Sequence, residues 1–229
     1  MDQKIQTVQL VADPFPPYQY VESGAIKGVD HEIIAAAFGE YGIDMMTRLL
    51  PWDECIQLLK KEKADGIFQI APTPERVKAY IFSKPLRAAR TVMYKRSEDP
   101  VRFDMNIDFP KQLKNYRLGV VKGYSYHPLI DSLGEHSKME VDSQEALLTG
   151  LRRGKFDLAV IDWGVAQYLA NNMGIRDIDR VEGYEITRQL HVAFRRNRDH
   201  IADQFNSGLD RIKEKGIYDR IFARYGLVP

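Results

Sequence analysis

The sequence predicts an α/β fold with a mostly parallel sheet, and two observations carry this prediction. Short β-type runs alternate with helical patterns along the chain, which is typical of α/β folds. The same rhythm then begins a second time near residue 117. The chain has 229 residues, 44% of them hydrophobic, which is enough for one large domain or for two lobes of about 100 residues each. Two small α/β lobes explain the repeated rhythm better than one long sheet.

The first series alternates strands with helices. Its strand segments are TVQLVA, MMTRLL and GIFQIA, and its helical segments are DHEIIAAAFGEYG, DECIQLLKKEKADG and a stretch opened by TPER. In the first helix we expect Asp30 to cap the start and Gly42 to end the helix. The apolar residues of that helix fall on one face; they are Ile33, Ile34, Ala37, Phe38 and Tyr41.

The second series starts with the strand RLGVVKG and a helix, and it continues with MEV, the helix SQEALLTGLRRG, the strand FDLAVI and the helix WGVAQYLANNMG. The final part is predicted as the strand LHVAFR, a long helix and a short terminal helix YDRIFARYG. The long helix carries an apolar stripe at helical spacing; its residues are Ile201, Phe205, Leu209 and Ile212.

Composition excludes several classes of protein. The 33 Lys and Arg residues nearly balance 32 Asp and Glu and form no basic blocks, so we expect no nucleic-acid partner. No apolar run approaches the roughly 20 residues that cross a bilayer, and the start MDQKIQTV lacks the features of a signal peptide. The single cysteine, Cys55, cannot form an internal disulfide and is expected as a small apolar residue inside the second helix.

Motifs for catalysis, cofactors and metals are missing from the sequence. It contains no GxSxG and no phosphate-binding Gly-Lys loop. Its histidines are isolated rather than spaced as metal ligands; they are His31, His127, His136, His191 and His200. We therefore predict no catalytic residue, no cofactor and no metal site.

Ligands of open α/β sheets bind beyond the carboxyl ends of the strands. In this chain the strands are followed by DPFPPYQY, APTPER, KGYSYHP and DW. Arg76 in APTPER is predicted in the first helical turn after the N-cap Thr73 and Pro74, where a cation opposes the helix dipole. A bound carboxylate, gripped by two parallel hydrogen bonds, would explain Arg76, and so would an ion pair with a surface acid.

Asp162 ends an apolar strand and opens the next helix, so it is a helix cap, a ligand for an ammonium group, or both. Gly123 in KGYSYHP is placed to turn the chain and to offer backbone N–H groups to an anion, although this composition is also common in ordinary turns. Phe15, Tyr18 and Trp52 fit either the core or the wall of a pocket, with the position of Trp52 just past the second strand favouring the pocket.

Five stretches, in this order, carry a family resemblance: DPFPPYQYVESGAIKGVDHEII, KADGIFQIAPTPERVKAYIFSKPL, LGVVKGYSY, GKFDLAVID and GIYDRIFARYG. Over nearly its full length the chain resembles the extracytoplasmic solute-binding proteins of family 3, the polar amino acid receptors of ABC importers. The resemblance implies a type II periplasmic binding protein-like fold, with two lobes joined by two hinge strands and closing around a ligand. Lobe 1 would comprise residues 1–94 and 191–229 and lobe 2 residues 95–190, with hinges near Tyr94 and His191.

The resemblance also assigns roles to residues. The Arg after the TPE motif binds the ligand carboxylate in the family, which implies this role for Arg76. The Asp ending the strand of lobe 2 binds the α-ammonium, which implies this role for Asp162. The GTT motif corresponds here to GYS, so Ser125 would assist with the carboxylate.

Around these residues the family builds a wall that contacts the ligand side chain. The aromatic residue of the family motif PPF corresponds to Tyr18, and Phe15 and Trp52 belong to the same wall. Family members usually have Ser or Thr, a small residue and Thr at three further positions of the site. At these positions the chain has Ala71, Gln69 and Tyr124, respectively.

The resemblance implies a monomeric, non-enzymatic receptor in the periplasm or another extracytoplasmic location. Its partners would be a small amino acid or related carboxylate and a membrane ABC permease. Two other functions are compatible with the same fold. They are a ligand-sensing domain of a membrane receptor kinase or cyclase, and a lyase similar to cyclohexadienyl dehydratases, whose chemistry needs an acid near the leaving hydroxyl.

Overall fold

The computed structural model describes residues 6–104, 108–124, 126–134 and 137–229. The strands in chain order are β1 (Thr7–Ala12), β2 (Tyr20–Glu22), β3 (Ala25–Lys27), β4 (Asp44–Leu49), β5 (Gly66–Ile70), β6 (Tyr80–Phe82), β7 (Arg87–Arg96), β8 (Leu118–Val121), β9 (Lys138–Val141), β10 (Leu158–Asp162) and β11 (Ile178–Arg195). The helices are α1 (Val29–Gly39), α2 (Trp52–Lys60), α3 (Pro74–Ala79), α4 (Phe109–Leu113), α5 (Pro128–Asp131), α6 (Gln144–Arg152), α7 (Trp163–Asn172), α8 (Asp199–Glu214) and α9 (Ile217–Arg224). In the described part of the chain, no helix is long and apolar enough to span a bilayer.

The chain divides into two compact units. Unit 1 comprises Met1–Ala88 and Arg188–Pro229, and unit 2 comprises Ala89–Thr187. Strands β7 and β11 each run from one unit into the other, and they contain the predicted hinge residues Tyr94 and His191. The segment bounds and hinges drawn from the family resemblance stay a prediction.

The sheet of unit 1 has the strand order β4, β1, β5, β11, with β6 also paired to β11. Strand β1 is parallel to both β4 and β5, whereas β11 is antiparallel to β5 and β6. The carboxyl ends of β1, β4 and β5 therefore lie at one edge of this sheet, and the segments that follow them are neighbours.

Helices α1 and α8 cover this sheet with the apolar faces predicted from their periodicity. The predicted stripe of α8 and the residues Ile33, Ile34, Ala37 and Phe38 of α1 are buried. The Phe38 ring lies 5.3 Å from the Phe205 ring and 6.4 Å from the Phe194 ring. The helices approach closely at Gly208, where an added Cβ atom would lie 2.1 Å from the carbonyl oxygen of Ala37.

The predicted ends of α1 are wrong at both termini. The N-cap position is Gly28, and Asp30 lies inside the first turn, where it is buried and accepts a hydrogen bond from Arg87 Nε at 2.7 Å. The first helical N–H groups donate instead to the carbonyls of Pro17 and Tyr18, so no carboxylate cap is needed. The helix ends at Gly39, three residues before the expected Gly42, which lies in the following turn with a φ of 63°.

The sheet of unit 2 has the strand order β7, β10, β8, β9. Strand β8 is parallel to β10 and β9, and β10 is antiparallel to β7, with Asp162 opposite Thr91. The Phe156 ring fills the space over Gly119 of β8, where an added Cβ atom would lie 2.3 Å from the ring. The carboxyl ends of β8 and β10 place Tyr124 and Asp162 at one edge of this sheet.

The close contact between α1 and α8 generates a stability prediction. Gly208→Ala should lower the free energy of unfolding by about 1–3 kcal/mol, because its Cβ would overlap the Ala37 carbonyl. Gly39→Ala is the matched control: nothing lies within 4 Å of its added Cβ, and alanine should stabilise the helix by about 0.5–1 kcal/mol. Urea unfolding of both variants measures these changes. Equal stabilities would contradict the described packing.

Candidate functional site

The predicted ligand residues of unit 1 lie on segments that leave one edge of its sheet. Phe15 follows β1, Trp52 begins α2 just after β4, and Ala71 and Arg76 follow β5. Because β1 is parallel to β4 and β5, the fold brings these segments to the same edge.

Arg76 lies where the sequence predicts it, in the first turn of α3. Pro74 is the first helical residue, and the N-cap Thr73 accepts a hydrogen bond from the Arg76 backbone N–H at 3.3 Å. The guanidinium Nη1 donates to the Ala71 carbonyl at 3.0 Å, and its Cζ lies 5.3 Å from the centre of the Trp52 ring. Burial lowers the pKa of the Arg76 guanidinium. In the described part of the chain no carboxylate forms an ion pair with Arg76, so the surface-acid explanation does not apply.

A cavity of about 360 Å³ opens beside Arg76 and Trp52. Residues of α2, α3 and the start of β6 line it, among them Ile56, Ala79 and Tyr80. Phe15, on the segment after β1, does not line this cavity, so the cavity alone does not define the predicted site.

Asp13 is an acidic residue of this edge that was not among the residues predicted for the site. It directly follows β1, and burial raises the pKa of its carboxyl above the ordinary value of 3.8. Its negative charge helps to raise the pKa of the buried Cys55 thiol to about 11. No cation of the described residues pairs with this carboxylate. Its position at the carboxyl end of a buried strand, similar to that of Asp162, is the signal that identifies it.

Phe15 and Tyr18 are stacked, with ring centres 6.0 Å apart and planes 12° from parallel. Phe15 is half-buried, whereas Tyr18 is only 5% exposed. The Arg87 guanidinium carbon lies 3.3 Å from the centre of the Tyr18 ring. One face of Tyr18 is therefore covered by the chain itself, and its contact with a ligand stays a prediction.

Gln69 has an unusual conformation near the carboxyl end of β5. Its φ angle is 60°, in the left-handed region that residues with a side chain rarely adopt. The pairing of β5 with β11 is irregular at this point, because His191 is opposite Ile70 and Val192 is opposite Phe68. Gln69 itself is half-buried.

In unit 2, Asp162 is the last residue of β10 and the N-cap of α7. The helix cap is one of the two roles predicted for it. Its Oδ1 accepts hydrogen bonds from the backbone N–H groups of Gly164 at 2.9 Å and Val165 at 3.2 Å. The next residue, Trp163, stacks with Arg90, whose Cζ lies 4.2 Å from the ring centre. Arg90 could not be predicted from the sequence, since a cation inside a strand gives no local signal.

The segment after β8 turns at Gly123, which has a φ of 76°. Tyr124 follows with 43% of its surface exposed, and its backbone N–H donates to the Val121 carbonyl at 3.2 Å. Ser125 lies outside the described residues. Within the described ranges, no group of His, Cys, Asp or Glu side chains is arranged to hold a metal ion.

Residues 8–228 match the family of bacterial extracellular solute-binding proteins, family 3. The chain belongs to this family. The prediction of a solute-binding protein made from the sequence is thereby confirmed.

Individual relatives of this family 3 protein are similar to it in length and in fold. It is 26% identical over 229 residues to an arginine-binding periplasmic protein of Mannheimia haemolytica, covering 96% of this chain and 91% of the relative. Its structure is similar to the arginine-, lysine-, histidine-binding protein ArtJ from Geobacillus stearothermophilus, with a TM-score of 0.75, 21% identity, and 98% and 97% of the two chains covered. A histidine kinase sensor domain with similarity to periplasmic binding proteins has a TM-score of 0.78 at 19% identity, with 99% of each chain covered. These likenesses confirm the periplasmic binding protein fold.

Asp162 generates a prediction about the stability of this family 3 protein. Asp162→Ala removes the acceptor of two backbone N–H groups and should lower the free energy of unfolding by about 0.5–2 kcal/mol. Asp162→Asn should leave stability nearly unchanged, because asparagine caps a helix about as well as aspartate. Thermal unfolding without ligand measures both. A loss of stability in the asparagine variant would mean that the charge, rather than the cap, stabilises α7.

Proposed function

We propose that this family 3 protein binds a small amino acid with a cationic side chain and passes it unchanged to a membrane ABC permease. The observation that carries this proposal is the half-buried Arg76 guanidinium, which no carboxylate of the described chain neutralises. We further propose that it acts in the periplasm or another extracytoplasmic location, which the family description supports, and that it does so as a monomer.

Arg76 has the geometry to bind the ligand carboxylate. A guanidinium accommodates a carboxylate with two parallel charge-assisted hydrogen bonds. Among the described residues, one acceptor, the Ala71 carbonyl, receives a hydrogen bond from the guanidinium, which has further N–H groups to offer a ligand. Trp52 beside it lowers its exposure to water, which strengthens the attraction to an anion.

Asp13 favours a cationic ligand side chain. Its carboxyl is partly buried, and no cation of the described residues faces it, so its negative charge is unfavourable. A positive group of the ligand would offset this unfavourable burial. Phe15 and Trp52 are aromatic residues of the same edge, and aromatic faces attract cations. The relatives named for arginine, lysine and histidine support the same ligand class.

We assign the α-ammonium of the ligand to Asp162. The support for this assignment is the place of Asp162 at the carboxyl end of β10, together with the role that the family resemblance implies for it. Ser125, after β8, is proposed to assist with the carboxylate, and Tyr124 is proposed to line the site, since its backbone N–H already donates to the Val121 carbonyl. The family resemblance implies that the two lobes close around the ligand, and this closure is part of the proposal.

Binding calorimetry with L-arginine, L-lysine and L-histidine tests the assignment of the carboxylate. Arg76→Ala should weaken binding by about 2–5 kcal/mol, because the ligand carboxylate would be buried without its partner. Arg76→Lys should not restore affinity, since an ammonium lacks the planar fork of a guanidinium.

Arg196→Ala is the matched control for this experiment. Arg196 also contacts α3, donating to the carbonyls of Val77 and Lys78, but it is exposed and has no proposed ligand role. Its alanine variant should bind as the wild type does. If Arg76→Ala retained the affinity of that control, the carboxylate assignment would fail.

The raised pKa of Asp13 generates a pH prediction. Below this pKa the carboxyl is protonated, so binding a cation there requires the release of a proton, and affinity for L-arginine should fall as the pH drops through it. Asp13→Asn should weaken binding at neutral pH by about 1.5–3 kcal/mol and remove this pH dependence.

Calorimetry from about pH 4 to about pH 8, in buffers of different ionisation enthalpy, measures affinity and proton release together. Because charge at this buried carboxyl is unfavourable without ligand, unliganded Asp13→Asn should also be the more stable protein at neutral pH. An unchanged pH profile in the variant would exclude Asp13 from the ligand site.

A further inference from the structure

Gln69 adopts its left-handed conformation inside a strand. Two other described residues with side chains have a positive φ, Ser23 at 52° and Glu62 at 57°. Both lie in turns, where such conformations are common. In β5 the same angle places a strained residue among regular strand residues, and glycine would adopt it without a steric penalty. Strain of this kind persists where the surrounding structure imposes it, and it is concentrated at functional sites.

The strain coincides with a β-bulge. Since His191 pairs with Ile70 and Val192 pairs with Phe68, Gln69 is the additional residue of β5 at this point of the ladder. A bulge turns the side chain of the extra residue out of the regular alternation of the strand. Phe68 and Ile70, on either side of it, remain fully buried in the core. The bulge therefore changes the direction of the Gln69 side chain and leaves its neighbours in place.

The Gln69 amide oxygen is buried, and no hydrogen-bond donor of the described residues reaches it. A buried acceptor without a donor is unfavourable, because it has lost its bonds to water. The last pair of the β1 and β5 ladder is Val11 with Ile67, and two residues later the strands carry Asp13 and Gln69. The Gln69 amide oxygen without a donor, and the Asp13 carboxyl without a cation among the described residues, therefore leave neighbouring strands at one edge of the sheet.

We infer that Gln69 is a specificity-determining residue whose amide oxygen accepts a hydrogen bond from the guanidino group of the ligand. The inference rests on the proposed function and narrows it from cationic amino acids to guanidino ones. A guanidinium presents five N–H donors in a fixed plane, enough to serve the Asp13 carboxylate and the Gln69 amide together. A lysine ammonium is a compact, strongly hydrated group without that planar fork, and it gains less from two separated acceptors.

The test compares two glycine substitutions at left-handed positions of unit 1. Gln69→Gly and Ser23→Gly each relieve a positive φ, so both should raise the melting temperature of the unliganded protein. Ser23, exposed in the turn between β2 and β3, has no proposed ligand role and is the matched control. Only Gln69→Gly should weaken L-arginine binding, by about tenfold or more, and bring the affinities for L-arginine and L-lysine closer together.

A third variant, Gln69→Glu, keeps an acceptor oxygen and should retain the preference for L-arginine. Loss of L-arginine binding in this variant would show that the amide donates rather than accepts, which overturns the inference. So would a Gln69→Gly protein whose affinities for both ligands stay within twofold of the wild type, or a wild type that prefers L-lysine. If Arg76→Ala abolishes binding while Gln69→Gly does not, the proposed function stands and only this inference fails. If the wild type binds only L-histidine, this inference alone fails. If it binds none of the three cationic amino acids, the proposed function fails as well.

Discussion

Asp30 and Arg87 form an ion pair of 2.7 Å at the centre of unit 1, with side-chain exposures of 0% and 1%. Charges this deeply buried are tolerated only as a pair, and removal of one partner leaves a costly isolated charge. Asp30 belongs to the first turn of α1 and Arg87 begins β7, so the pair fixes the start of a core helix relative to a strand that leaves the unit. Arg87 also supports the ring of Tyr18, whose carbonyl receives N–H groups of α1. The segment that carries Phe15 is thus anchored by the same interaction.

The Asp30–Arg87 pair also shows which parts of the fold can be predicted from the sequence and which cannot. Helices α1 and α8 were predictable because their apolar periodicity is a local property. The role of Asp30 was not, because an acid near a helix start resembles a cap and its true partner lies 57 residues away in the chain. Strand β11 was predicted only as its apolar end, LHVAFR. Its first half, from Ile178, is rich in charged residues and alternates irregularly between buried and exposed positions, so composition does not mark it as a strand.

The candidate site shows the same division between local and long-range causes. The placement of Arg76 and the capping role of Asp162 were predictable because both depend on neighbours within a few residues. Gln69 was noticeable in sequence only as a large residue where the family has a small one. Its left-handed backbone is set by pairing with a strand more than a hundred residues away, which no local pattern encodes. The burial that raises the pKa of the Asp13 carboxyl is equally a product of the assembled fold.

Cys55 is fully buried, its thiol lies 3.4 Å from the Leu50 carbonyl, and its pKa is raised to about 11. Thiols react as thiolates, so in the folded protein this one is almost entirely in its unreactive form and is shielded from reagents. A cysteine introduced at an exposed position would consequently be the single group to react with a maleimide dye. The natural sequence therefore accepts a fluorescent reporter at a chosen surface position without prior replacement of its own cysteine.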